Sequence, residues 1–171
     1  MNFQFYLEKL QASDVYKNFM KENPGAFLCS CFFVIDFDKE KGKNQQHFDF
    51  FIPDTKKLMS LQLEEEMQIV PIDIPDKTEI FEEIKECGFD FKEIEDLIVK
   101  EKDKEGIKNK IQKILLSLQS KQGKCFILAT VFISNLGIIK VNINLKNMEI
   151  TDFEKKSFLD MIKVFGKKKE V

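Results

Sequence analysis

Arginine and tryptophan are absent from this 171-residue chain, and histidine occurs once. Without arginine there is no planar fork to grip carboxylate, phosphate or guanine at two points, so such groups would fall to lysine or to backbone N–H groups. The seven glycines stand apart from one another, which excludes a glycine-rich phosphate loop. No apolar run approaches the roughly 20 residues that a membrane-spanning helix needs. Residues Met1 to Leu10 lack the basic start and apolar stretch of a secretion signal. The formal net charge is −2 and the pI about 5.6, so nothing marks a nucleic-acid partner.

What is present is phenylalanine, 18 of them, in a chain that is 43% hydrophobic and 33% charged. That balance belongs to a folded globular domain. The four cysteines are Cys29, Cys31, Cys87 and Cys125. Three of them sit in apolar runs, where cysteine behaves as a small hydrophobe. The expectation is free thiols in a reducing, cytoplasmic setting. Cys29 and Cys31, two apart, are expected to face the same way in a strand.

Read along the chain, Phe3 to Lys9 is a helical segment, and Ser13 caps a second helix that Asn23-Pro24-Gly25 stops. Ala26 to Phe37 is a strand apolar on both faces, as in the middle of a covered sheet. Gln46 to Ile52 and Leu58 to Leu63 are strands joined by Pro53 to Lys57, and Met67 to Ile74 is extended. An internal boundary falls in Asp73 to Lys77. Thr78 to Cys87 reads as a short helix. Asp90 with Glu93 forms a capping box for a helix carrying Ile94, Leu97 and Ile98. Ile107, Ile111, Ile114, Leu115 and Leu118 continue at helical spacing up to Gly123. Cys125 to Ser134 is a second strand apolar on both faces; Ile138 to Asn144 and Glu149 to Phe153 are further strands. Ser157 to Phe165 is amphipathic, ahead of a lysine tail.

The run GAFLCSCFFVI (Gly25 to Ile35) and the run GKCFILATVFI (Gly123 to Ile133) match in character and setting. Each follows a helix and leads through a strand and a polar turn to another strand. The expected fold is α+β: two αβββ units, residues 1–75 and 76–171, in one compact body with antiparallel sheet and helices on one face. The turns Asp54-Thr55-Lys56-Lys57-Leu58 and Asn144-Leu145-Lys146-Asn147-Met148-Glu149-Ile150 give a resemblance to the PepSY domain. In that cystatin-like family a helix packs on a curved antiparallel sheet, and an Asp-x-x-Thr-Gly-type turn precedes the last strand. The resemblance lies mainly in element order. It implies a binding or inhibitory module without catalytic residues of its own.

Chemistry is sparse. His47 and Asp49 share a strand face, but no nucleophile is tied to them. A zinc site would need Cys-x-x-Cys knuckles, and Cys29-Ser30-Cys31 within a strand is poor geometry for one, so no metal and no cofactor are expected. Asp36 and Asp38, at a strand end, are the best-placed carboxylates for acid–base work, and more simply they end the strand. Lys100 to Lys113 alternates with acids and reads as an exposed helix face. Ser157 to Lys169 pairs an apolar stripe with lysines, the makings of contact with an anionic membrane surface, but docking on protein is the commoner use of such a segment. The expected function is a non-catalytic binding or protein-interaction module. Phe32, His47, Phe48, Asp49, Phe50, Phe51 and Asn142 are the candidate surface, with an unknown protein or peptide, or a second copy, as partner. The alternative is a small-ligand protein or enzyme with a cystatin- or NTF2-like pocket, where His47, Asp49 and Asn142 would be the polar lining.

Overall fold

The computed structural model describes residues 1–37, 44–74 and 82–157. Their order is α1 (Phe3–Ala12), α2 (Asp14–Glu22), β1 (Phe27–Asp36), β2 (Gln45–Ile52), β3 (Lys57–Gln62), β4 (Gln68–Ile72), α3 (Phe91–Lys104), β5 (Ile111–Lys121), β6 (Lys124–Ile133), β7 (Gly137–Asn144) and β8 (Glu149–Ser157). The strands make one antiparallel sheet in the order β4-β3-β2-β1-β5-β6-β7-β8. Outward from the central β1–β5 pair, each side is a meander of neighbours in the chain.

Caps fix the helices. Asn2 accepts from the Phe5 N–H at the start of α1. Ser13 accepts from Tyr16 N–H at the start of α2 and donates to the Leu10 carbonyl that closes α1. Asp90 accepts from Lys92 N–H at the start of α3, and that bond holds its carboxyl below the usual carboxylate range. Each bond satisfies a backbone group that the helix end leaves over. The β5–β6 hairpin turns on Gln122-Gly123, both at positive φ (52° and 69°), the backbone of a tight two-residue turn.

All three helices cover one face of the sheet. Their residues Phe3, Leu10, Phe19, Ile94 and Ile98 share a core with Cys31, Phe33, Phe48, Phe50, Leu61, Ile114, Leu116, Leu118, Ile127, Val131, Val141 and Ile143. At its centre stands Phe33, 1% exposed, in ring contact with Phe3, Tyr6, Phe48, Phe89 and Phe91.

Four expectations change. Residues 111–121 form a strand, not a helix: Ile114, Leu116 and Leu118 are buried and alternate with half-buried Leu115 and Ser117. A mid-sheet strand with apolar residues on both faces fills helical and strand spacings alike, and the fixed period-2 burial decides between them. In consequence the two apolar runs hold different places: β1 lies beside the centre, β6 one strand farther out. Residues 82–89 contain no helix; Ile84 N–H donates to the Leu28 carbonyl and Phe89 accepts from Phe3 N–H. Of the expected helix Thr78–Cys87 the earlier residues lie outside the described chain, as do Asp38 and all of Ser157–Lys169 except Ser157, which ends β8. Finally, Cys87 and Cys125 form a disulfide, whereas Cys29 and Cys31 are free and buried.

The stretch read as an exposed basic helix face also differs. Lys102 is 7% exposed, and its Nζ donates to the Ile107 carbonyl at 2.8 Å and to Asp103 at 2.7 Å. The ammonium thus satisfies a carbonyl just past the C-terminus of α3, where a cation is favoured.

Candidate functional site

Pairing register determines which side chains share a face, because directly opposed residues point the same way. Phe48 pairs with Cys31 and Leu61, and Phe50 with Met59; these are helix-side positions, 0% and 3% exposed. Both phenylalanines therefore belong to the core, and neither is available to a partner in the folded chain.

Phe32, His47, Asp49, Phe51 and Asn142 lie on the other face. One row crosses seven strands, Gln62–His47–Phe32–Ser117–Leu128–Asn142–Asp152. Strand spacing puts His47 and Asn142, at four strands' remove, about 19 Å apart. Three of the expected residues thus share a row without forming one pocket. Leu128, at mid-sheet in this row, is 41% exposed. Sequence reading passed over Leu128, whose place in an apolar run looked like core; alternation from Ile127 would have assigned it to the outer face.

The first half of this face carries a polar cluster. A bulge between Leu28 and Ser30 interrupts the β1–β2 register, so Phe27 faces Phe51 on the outer side, their rings 5.7 Å apart. The bulge also separates the two central cysteines: Cys31 joins the core, while the Cys29 thiol donates to the Asp49 carbonyl at 3.4 Å. Burial, and then the nearby Asp49 charge, push that thiol up to about 12. Asp49 sits between Ser30 and Ser60 in the register, and Ser60 is 3% exposed. Burial raises the Asp49 carboxyl above its usual range, an effect opposed by the Ser60 hydrogen bond and by His47. His47 stacks obliquely on Phe32 at 5.9 Å, and its Nε2 is 3.5 Å from Glu64, within reach of charge attraction. Among the described residues, neither His47 Nε2 nor Asp49 Oδ1 has a hydrogen-bond partner, although both are buried.

Asp36 forms an ion pair with Lys113 at 2.9 Å. No group of three or more His, Cys, Asp or Glu able to hold a metal occurs among the described residues.

A cleft of about 270 Å³ opens elsewhere, between α1, α3 and the ends of β1 and β2. None of Phe32, His47, Asp49 or Asn142 lines it. Sequence reading did not anticipate it.

No protein-family model and no curated protein matches this chain. Among solved structures, a protein of Clostridium difficile 630 titled a "putative lipoprotein" is similar at 10% identity, covering 84% of this chain and 91% of that one, with a TM-score of 0.49.

Proposed function

We propose that this chain is a non-catalytic binding module whose working surface is the sheet face opposite the helices. The observation that carries the reading is the outer row with Leu128 exposed at its middle. An antiparallel sheet can leave one face to solvent, and here that face carries Leu128 together with half-buried Phe27, Phe32 and Phe51; apolar side chains gathered on an open face mark contact sites. Phe32, His47 and Asn142 flank it along the row. The partner is a protein, either a second copy or a different chain, that lays apolar side chains against Leu128 and Phe32. The non-catalytic part of the reading is supported by the nucleophile candidates: the Cys29 thiol titrates near 12, Cys31 is fully buried and Ser60 is 3% exposed. A thiol of such weak acidity is protonated at neutral pH and attacks poorly.

Photocrosslinking in living cells tests the proposal. A benzophenone amino acid replaces Leu128 in one strain and Leu136 in another; Leu136 is 64% exposed in the β6–β7 turn, off the sheet. A discrete crosslinked product from position 128 and none from 136 supports the surface. Equal products from both positions, or none from either, refutes it.

Two further readings belong with this one. Helix followed by four-stranded meander occurs on both sides of the central pair, which supports a duplication of an αββββ unit and replaces the αβββ unit expected from sequence. A PepSY-like inhibitory role would be one form of such a module, supported only by helices on one face of an antiparallel sheet. As to location, the Cys87–Cys125 disulfide favours an oxidising compartment over the cytoplasm. Fractionation with thiol trapping at lysis tests it: a cytoplasmic pool with both thiols free overturns the oxidising assignment.

A further inference from the structure

We infer that the cleft between α1 and α3 is a binding site for a small, neutral, planar ring bearing an amide or similar donor–acceptor pair. This site is separate from the outer sheet face and does not depend on it.

Tyr6 and Phe91, both half-buried, build the walls, and Phe33, 1% exposed, backs them from the core. Phe91 stands edge-on to Tyr6 at 5.6 Å and to Phe33 at 5.0 Å, and Tyr6 lies 6.2 Å from Phe33. Ile35 of β1 adds an aliphatic wall. Rings set at steep angles offer both faces and edges to a further flat ring, the geometry that aromatic contacts favour.

Among the polar residues that line the cleft, which include Asn44, Gln45, Lys92 and Glu95, the one set on the core's own face of the sheet is Gln46. It pairs with Phe33, so it occupies the helix-side face of β2. The other helix-side residues of that strand are Phe48, Phe50 and Ile52, all buried. The alternation that builds the core therefore calls for an apolar residue at position 46, and the chain has an amide there instead. An amide supplies one donor side and one acceptor side, which suits a ligand with the complementary pair.

Charge and size narrow the class. Lys92 at the rim is already paired with Asp96 at 2.8 Å and Glu95 at 3.4 Å. The Met1 ammonium, also at the cleft, is paired with Asp90 at 3.4 Å, so among the described residues the mouth offers no spare cation for an anionic ligand. The volume of about 270 Å³ lies just below the range of roughly 300–1,000 Å³ typical of ligand pockets, so a single ring fits better than a fused or extended molecule.

The test is a titration of the full chain followed through its amide NMR spectrum, with three probes. Benzamide has the ring and the amide, benzoate the ring with an anion, and cyclohexanecarboxamide the amide on a puckered ring. Benzamide is expected to shift the Tyr6, Gln46 and Phe91 amides saturably, and the other two to bind at least ~10-fold more weakly. Gln46→Leu, which restores the apolar pattern and keeps the fold, is expected to weaken benzamide about 10-fold, the loss of roughly one hydrogen bond. Phe91→Leu tests the stacking wall in the same way. The inference is overturned by the absence of saturable shifts, by shifts centred elsewhere, by equal binding of all three probes, or by unchanged benzamide affinity in Gln46→Leu.

Discussion

The Cys87–Cys125 disulfide ties an irregular segment to the start of β6 across a sequence separation of 38. In the chain-entropy account, closing a loop of that length removes about 3.9 kcal/mol of unfolded-state freedom at 25 °C. For a chain of this size each kcal/mol is worth about 2–4 °C in melting temperature. The expected loss on opening the bond is therefore about 8–15 °C. The assay compares thermal and guanidinium unfolding of wild type, wild type with reductant, and the Cys87→Ser/Cys125→Ser double variant. Because Cys29 and Cys31 are free and buried, unfolded unreduced protein should react with two equivalents of thiol reagent, and reduced protein with four. The reduced wild type and the double variant should agree with each other and both fall below the oxidised protein. Identical midpoints in all three samples would refute the reasoning, as would four reactive thiols without reductant.

Three further outcomes are expected. Phe33→Ala should cost about 3–5 kcal/mol in denaturant unfolding, since it empties the centre of a five-ring contact set, and a loss below ~1 kcal/mol would contradict that placement. Lys102→Met keeps the buried stem but strips the ammonium from the Ile107 carbonyl, for an expected cost of about 1.5–3 kcal/mol; an unchanged urea midpoint would show that the cap contributes nothing. Asp49 has a raised carboxyl pKa in the folded chain, so the folded state keeps its proton longer than the unfolded state does. Its contribution is then a penalty, absent below the unfolded value near 3.8, growing as pH rises toward the folded value and constant above it. Asp49→Asn should accordingly match wild type in urea at the acid end and become the more stable of the two as pH rises to neutrality. A gain that shrinks with rising pH would reverse the assignment.

Much of the architecture could be read from alternation and caps, as with Ser13, Asp90 and the strands around Phe48, Val141 and the 53–56 turn. Residues 111–121 resisted because Leu115 breaks the alternation of buried Ile114, Leu116 and Leu118 with Lys113, Ser117 and Gln119, and with Ile107 and Ile111 it completes a helical spacing. Residues 82–89 resisted for another reason: their conformation is fixed by partners far away in the chain, Leu28, Phe3 and Cys125, which no local pattern reveals. At the candidate site, period two already separates His47, Asp49 and Phe51 from Phe48 and Phe50. What the sequence left open was which set the helices cover, since Phe51 and, on β1, Phe27 and Phe32 put phenylalanine on the side of His47 and Asp49 as well. Gln46 was visible as a break in alternation, but its meaning depended on α1 and α3 framing it.

The central seam has a consequence for how the chain assembles. Every other strand pairing joins neighbours along the polypeptide, whereas here residues 30–36 must find residues 113–119. Ring-closure entropy makes that encounter the dearest of the set, while each hairpin on either flank can zip up by itself. The molecule is therefore made like a folding screen, its two wings opened locally and the middle hinge-line stitched last.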